Sequence, residues 1–280
     1  MGDEQGDIDQ YGVIGHPVGH SRSPFIHGLF AKQTGQRMAY RLYDVRPDEF
    51  VARVSGFFAG GGCGLNVTVP HKQAAAALAP ALTPRAEQAR AVNTLAVQPD
   101  GSILGDNTDG VGLVRDLTHN LGIVVAGLRV LVLGAGGATR GIVAPLLELA
   151  PAAFTIANRT ADRARVVAAS FADLGPAMGC GFHEVEARPW DLVINATAAS
   201  LAGGRPDITP AVIGANTICY DLAYGQEPTP FLSWALAEGA AGAHLGWGML
   251  VEQAAESFHL WRGVRPETRT VLEVLKDWRG

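Results

Sequence analysis

Arg129-Val130-Leu131-Val132-Leu133-Gly134-Ala135-Gly136-Gly137-Ala138-Thr139-Arg140-Gly141 decides how this chain is read. Residues 129–133 are a short apolar, branched run, the pattern of a strand buried on both faces. Gly134 then permits a tight turn that a Cβ would hinder. Gly136 leaves room for the backbone to approach a pyrophosphate. A helix expected over 136–150 presents free N–H groups and its positive dipole end to that anion. The turn is not a strict GxGxxG, because Thr139 stands in the third glycine's place. A glycine-rich turn alone is often merely structural. The strand before it and the helix after it favour a dinucleotide site, with Gly134, Ala135, Gly136, Gly137 and Ala138 against the phosphates.

The pattern continues outward in both directions. Strands are expected over 153–157, 191–195 and 218–222, with a helix over 162–174. Such alternation predicts an α/β fold with a parallel, doubly wound sheet and helices on both faces. After the second strand come Asn158-Arg159-Thr160 and then Arg163. An NAD site would usually place an acid there, on the ribose hydroxyls. Two guanidiniums suit a 2′-phosphate, so NADP is favoured; Asp162 belongs to the following helix. Upstream, strands are expected over 11–15, 41–45 and 64–69, and helices over 24–33, 47–59 and 73–78. Ser23 before Pro24 reads as an N-cap and first-turn pair. Asp100-Gly101 reads as a hairpin turn between 93–97 and 102–104. Two helices, over 249–261 and 266–278, end the chain, and a domain boundary is expected near residue 108.

Composition narrows the class. The chain has 280 residues, 48% of them hydrophobic and 18% charged, which is enough to bury a core and excludes a disordered chain. Glycine is 35 of 280 without a G-X-Y period, so the excess belongs to turns and ligand loops. The net charge of −5, with no basic run, argues against a nucleic-acid partner. No apolar run is long enough to span a bilayer, and the acidic residues 1–10 do not read as a signal peptide. Cys63, Cys180 and Cys219 are widely spaced and read as reduced thiols, which points to the cytoplasm. His16 and His20 are four apart, but Pro17 and Gly19 oppose a helix there, and no metal site is expected. GxSxG is absent, so a serine hydrolase has no support.

Three polar clusters stand where a core alone would be apolar. Ser21 and Ser23 lie two apart in a loop entering a helix, a pair suited to holding a carboxylate. Asn66 and Thr68 share one face of a strand that stops at Pro70, and Lys72 follows. Lysine is rare here, at positions 32, 72 and 276 alone. Unlike arginine, it can release a proton when its surroundings tune it. Asn93-Thr94 and Gly105-Asp106-Asn107-Thr108-Asp109-Gly110 form the third cluster. Its acidic loop lacks EF-hand spacing, and helix capping by Asp109 is the plain alternative.

The ordered strings GHPVGHSRSPFIH, GLNVTVPHK, AVNTL, GDNTDGVG, GAGGATRG, NRT, INAT and GMLVEQAA, over 11–262, resemble those of the shikimate/quinate dehydrogenase family. The resemblance implies an N-terminal α/β substrate domain and a Rossmann-like NADP domain separated by a cleft. The first would comprise 1–108 plus 247–280 and the second 109–246. It implies reversible oxidation of shikimate to 3-dehydroshikimate with NADP, in chorismate and aromatic amino acid biosynthesis. Lys72 and Asp109 match the family's catalytic pair. Ser21, Ser23, Asn66, Thr68, Asn93, Tyr224 and Gln253 match substrate positions. Gly134–Ala138, Asn158, Arg159, Thr160, Arg163, Leu222, Gly246 and Met249 match cofactor positions. A monomer or a homodimer is compatible with it.

The chain departs from the family at three places. Asn195-Ala-Thr197-Ala-Ala-Ser-Leu201 stands for a common NATSSGM, and Gly246-Trp247-Gly248-Met249 for a common GLGM. Thr83-Pro84-Arg85 stands where several members carry an acidic cofactor contact. Other readings are a quinate/shikimate dehydrogenase of broader substrate or NAD specificity, and a non-enzymatic NADP sensor on the same fold. The intact Lys72/Asp109 pair opposes the sensor. A methylene-tetrahydrofolate dehydrogenase is opposed by the SRSP and GDNTDG strings.

Overall fold

The computed structural model describes residues 8–200 and 203–277; residues 1–7, Leu201 and Trp278 of the sequence reading lie outside them. Two compact units are formed. One runs to Thr108 and resumes for Gln253–Val271, and the other is Asp109–Glu252 with the chain from Leu272.

The first unit holds β1 (Asp9–Gly15), α1 (Ser23–Thr34), β2 (Met38–Asp44), α2 (Phe50–Ala59), β3 (Gly62–Val67), α3 (Lys72–Leu78), β4 (Ala81–Leu82), α4 (Pro84–Ala89), β5 (Thr94–Val97) and β6 (Ile103–Asp106). Its sheet runs β2-β1-β3-β5-β6-β4. β1 pairs in parallel with β2 and β3, whereas β5 is antiparallel to β3 and β6, so this sheet is mixed. The β5–β6 hairpin follows from Asp100-Gly101. Gly101 takes φ +83°, and the Asp100 carboxylate accepts from the Ser102 N–H and hydroxyl at 2.9 and 2.6 Å. Ile14, Phe50, Val54, Leu65, Val67 and Leu95 form the core beside the sheet.

The second unit holds α5 (Asp109–Arg115), β7 (Arg129–Leu133), α6 (Gly137–Leu147), β8 (Ala153–Asn158), α7 (Ala161–Ala169), β9 (Ala177–Gly181), β10 (Leu192–Asn195), β11 (Ile218–Asp221), α8 (Pro230–Ala237) and β12 (Gly242–Leu245). α9 (Trp247–Arg262) and α10 (Arg269–Asp277) follow. All six strands are parallel, in the order β12-β11-β10-β7-β8-β9. This is the doubly wound Rossmann order, with the direction of winding reversing between β7 and β10. The side chains of β7 alternate as a strand requires. Val130 and Val132 enter one core with Ile142, Leu146 and Phe154; Leu131 and Leu133 enter the opposite one with Trp190, Val193 and Phe231. The second unit boundary falls inside α9. Gly248 and Met249 at its start pack on Asp116 and Tyr220, and from Gln253 on it belongs to the first unit, to which it contributes Gln253 and Ser257.

Local differences have physical reasons. Ser23 does not cap α1: it is the first helical residue, and Arg22 holds the cap position without a side-chain capping bond. The helix expected over 47–59 begins as a 3-10 turn, Pro47–Glu49, before α2. β9 and β12 lie outside the expected strands, because AMGCG and GAHL lack the β-branched residues that mark them. They form as edge strands on β8 and β11. A side chain at Gly179 in β9 would meet the Ala164 and Arg165 backbone of α7.

Candidate active site

In the first unit the polar residues converge on β3, the β5 entrance and α9. Asn66 is buried near the end of β3. Its Oδ1 accepts from the Tyr40 hydroxyl at 2.7 Å. Its Nδ2 faces the Asn93 carbonyl, Thr94 Oγ1 and Ser257 Oγ at 3.2, 3.1 and 3.0 Å. Two N–H bonds are shared among three acceptors, so the NH2 group is fully occupied by the protein. A ligand accepting from Asn66 Nδ2 would have to exchange with one of these three acceptors. The Tyr40 ring is itself stacked on His27, centroids 4.3 Å apart at 8°. Burial lowers the His27 pKa to about 3, so this imidazole is neutral at physiological pH.

Asn93 is likewise buried. Its Oδ1 accepts from the Thr108 N–H at 2.8 Å, and its Nδ2 donates to Thr108 Oγ1 at 2.9 Å and to Gln253 Oε1 at 3.3 Å. Asn93 and Gln253, 160 residues apart, are thereby brought together. Ser21 and Ser23 also meet, with the Ser21 hydroxyl donating to Ser23 Oγ at 3.1 Å. Thr68 follows β3, and its carbonyl accepts from the His71 N–H at 2.9 Å. His71 stacks on Phe50, 4.5 Å between centroids, and its Nε2 lies 2.7 Å from the Val45 carbonyl. A carbonyl only accepts, so Nε2 carries the proton. That contact fixes the turn from which Lys72 opens α3. Lys72 is half-buried, and its carbonyl accepts from the Val92 N–H at 2.8 Å.

The second unit carries Asp109, the buried first residue of α5. The Gly-rich turn sits at the switch point. Gly134 has φ +111°, and a Cβ there would lie 3.0 Å from the Ala196 carbonyl oxygen, just past β10. Thr139, the departure from GxGxxG, is fully buried and donates its hydroxyl to the Gly134 carbonyl at 3.0 Å. It closes the turn that leads into α6. Gly136 caps α6 with no side-chain bond, is exposed, and has nothing within 4 Å of where its Cβ would be. Ala135, Gly137 and Ala138 are half-buried beside it. Unblocked helix N–H groups beside open space fit a pyrophosphate.

β8 ends in Asn158, whose Nδ2 donates to the Thr160 carbonyl at 3.0 Å. Arg159 and Arg163 are exposed, and among the described residues neither has an ion-pair partner. Asp162, between them in sequence, pairs instead with Arg165 at 2.9 Å. Two uncommitted guanidiniums with no acid facing them fit a 2′-phosphate. On the other side of the switch point, Leu222 and Gly246 are adjacent. A Cβ on Gly246 would lie 2.5 Å from the Leu222 carbonyl oxygen. The Met249 N–H donates to the buried Tyr220 hydroxyl at 3.3 Å. Tyr224 lies against Trp247, ring centroids 4.8 Å apart.

Residues 13–95 match the shikimate dehydrogenase substrate binding domain. Residues 117–203 match shikimate / quinate 5-dehydrogenase, and 246–276 the shikimate 5′-dehydrogenase C-terminal domain. A shikimate dehydrogenase (NADP(+)) of Methylococcus capsulatus is 56% identical over 97% of both chains. The chain belongs to the shikimate dehydrogenase family. Among solved structures, an Ael1 enzyme from Pseudomonas putida is 42% identical with a TM-score of 0.88, covering 97% of this chain and all of that one. The shikimate 5-dehydrogenase of Thermus thermophilus, in complex with NADP(H) and shikimate, is 31% identical with a TM-score of 0.83, over 95% and 97% of the two chains.

Sequence reasoning missed several residues that brace the candidate residues within each unit of this shikimate dehydrogenase family member. Tyr40 and Ser257, both bonded to Asn66, carry no motif signal, because strands and helices far apart in sequence bring them in. Arg85 stands out in the sequence only as a departure. It makes a two-bond ion pair with buried Asp106 at 2.7 and 2.5 Å, and also reaches Glu256 at 3.1 Å. Ser200 replaces a family pattern yet donates to Asp221 at 2.6 Å, beside the Asn195 bond of 3.0 Å to the same oxygen. Cys63, Cys180 and Cys219 are all free thiols, and burial pushes the Cys219 thiol up to about 12. Among the described residues, no helix is long and apolar enough to cross a membrane.

Proposed function

We propose that this protein catalyses the reversible NADP-dependent oxidation of shikimate to 3-dehydroshikimate, working in the cytoplasm on the route to chorismate. The first unit binds the shikimate ring and the second binds NADP. The observation that carries the reading is the end of β8, where Arg159 and Arg163 are exposed and Asp162 is paired with Arg165 instead of with either of them. The family and its NADP(+)-dependent relatives support the substrate.

Gly134–Ala138 and the start of α6 would hold the pyrophosphate, and Asn158, Arg159, Thr160 and Arg163 the adenosine 2′-phosphate. Leu222, Gly246 and Met249 would flank the nicotinamide. NADPH, when bound, supplies the hydride that reduces the C3 carbonyl. Ser21 and Ser23 take the carboxylate through paired hydroxyls. Asn66, Thr68, Asn93, Tyr224 and Gln253 orient the ring and its hydroxyls. As C3 is reduced, its oxygen gains negative charge, and Lys72 donates the proton there. Asp109 orients the ammonium and bonds a ring hydroxyl. In the oxidative direction the pair accepts the proton.

Initial rates at 340 nm, crossing shikimate and quinate with NADP+ and NAD+, test the reading. The expected result is strong turnover with shikimate and NADP+ alone. Comparable quinate or NAD+ rates would move the protein to the broader quinate/shikimate branch. NADP+ binding with no turnover of any pair would replace the enzyme by a sensor.

The cofactor assignment makes a sharper prediction. Each charge-assisted bond to a phosphate is worth roughly 1.5–3 kcal/mol. The double variant Arg159→Ala/Arg163→Ala should therefore raise KM for NADP+ by about tenfold or more. KM for NAD+ should change by less than about twofold, since NAD+ lacks the 2′-phosphate. Equal losses for both cofactors would remove these arginines from the 2′-phosphate site.

A further inference from the structure

We propose that Trp247 is a positioning residue for Tyr224. The proposal rests on the reading that Tyr224 contacts the substrate, and it assigns a role to a residue that does not itself touch it. The two residues lie 23 positions apart and meet where β11 and β12 end side by side. The loop leaving β11 is clamped on both sides of Tyr224. Before it, the Ala223 carbonyl accepts from the Gly246 N–H at 2.9 Å. After it, the Gly225 carbonyl accepts from the Trp247 indole N–H, also at 2.9 Å. Below it, the Ala223 N–H donates to the buried Asp221 carboxylate at 3.0 Å. Tyr224 thus sits between two fixed carbonyls, and its ring lies on the indole at 44° between planes.

Two consecutive residues, Gly246 and Trp247, supply both clamps, and Trp247 opens α9. The Gly246 clamp is a backbone bond that any residue able to fit there would make. The Trp247 clamp needs a side-chain donor long enough to reach Gly225, and an aliphatic side chain offers none. An indole also leaves little freedom to the ring it packs against. Trp247 therefore holds both the backbone after Tyr224 and the direction of its side chain.

The test is a double-mutant cycle with Tyr224→Phe and Trp247→Leu, with Trp247→Phe as the conservative variant. Losing one positioned hydrogen bond should raise KM for shikimate roughly three- to tenfold in Tyr224→Phe. Trp247→Leu should raise it by a similar factor, with KM for NADP+ and the thermal midpoint little changed. Trp247→Phe, which keeps a ring against Tyr224, should recover part of the loss. In the Tyr224→Phe background, Trp247→Leu should add less than about twofold, because coupled residues are not additive. Full additivity, or an equal rise in KM for NADP+, would overturn the positioning role while leaving Tyr224 at the substrate. An unchanged shikimate KM in Tyr224→Phe would remove Tyr224 from the substrate site, and the proposal with it.

Discussion

Lys72→Met will lower the rate of shikimate oxidation by roughly 10²–10⁴ while leaving the protein folded, the range expected when a general acid–base group is removed. Methionine is close to lysine in length but has no proton to give. The backbone position does not depend on the ammonium. The Lys72 carbonyl takes the Val92 N–H at 2.8 Å, and the preceding turn is held by His71 on Val45 and Phe50. The loss should therefore fall on kcat, with KM for NADP+ near its original value. Asp109→Asn should lose rate less steeply if Asp109 only orients the lysine. Turnover unchanged in Lys72→Met would show that another group holds the proton. Arginine at position 72 would keep the charge but not the proton transfer, since a guanidinium does not deprotonate in this pH range.

What the chain reveals without its structure divides along a physical line. The β7 turn and α6 are legible because strand, glycine turn and helix are consecutive and each has a local signature. The hairpin at Gly101 is legible for the same reason. β9 and β12 are not, because edge strands form by pairing with a neighbour already in place, whatever their own propensity. Ser23 illustrates the limit of local rules: a serine before a proline reads as a cap, yet Arg22 holds that position. Of the candidate site, Ser21, Ser23, Thr68, Lys72 and Asn93 stand in short polar strings that a core would not choose. Their supports do not. Tyr40 reaches Asn66 from a strand 26 residues away, and Ser257 from a helix 191 residues away. Such partners are selected by the tertiary fold and have no sequence period.

Arg85→Ala should destabilise the protein by about 3–5 kcal/mol, the cost of stripping one partner from a buried ion pair. The Asp106 carboxylate is 1% exposed. Its Oδ1 accepts from Thr83 Oγ1, Arg85 Nε and the Asn107 N–H at 2.6, 2.7 and 2.7 Å, and its Oδ2 from Arg85 at 2.5 Å. Burial alone would raise the Asp106 pKa, but the Arg85 bonds and charge, with Thr83 and Asn107, outweigh it and hold the carboxyl below its ordinary value. A depressed carboxylate contributes stability above its unfolded pKa of about 3.9, and that contribution is lost as pH falls through the folded value. Without Arg85 the burial cost is left unopposed. The gap between wild type and Arg85→Ala should therefore be widest near neutral pH and should begin to narrow while pH is still above the ordinary carboxylate value, because unopposed burial raises the variant's Asp106 pKa and protonation there relieves the buried charge. Denaturant titrations at several pH values read this directly. Arg85→Lys should recover only part of the loss, because an ammonium cannot match both carboxylate oxygens as a guanidinium does. A loss below about 1 kcal/mol, within the range of exposed pairs, would mean that water compensates Asp106. The consequence extends to chemistry. The Asp106 carbonyl accepts from the Asn93 N–H at 3.0 Å, and Asn107 and Thr108 lead straight into Asp109. A loosened Asp106 should therefore weaken shikimate binding at temperatures where the variant is still folded, because the strand end that holds the Asn93 backbone is no longer fixed.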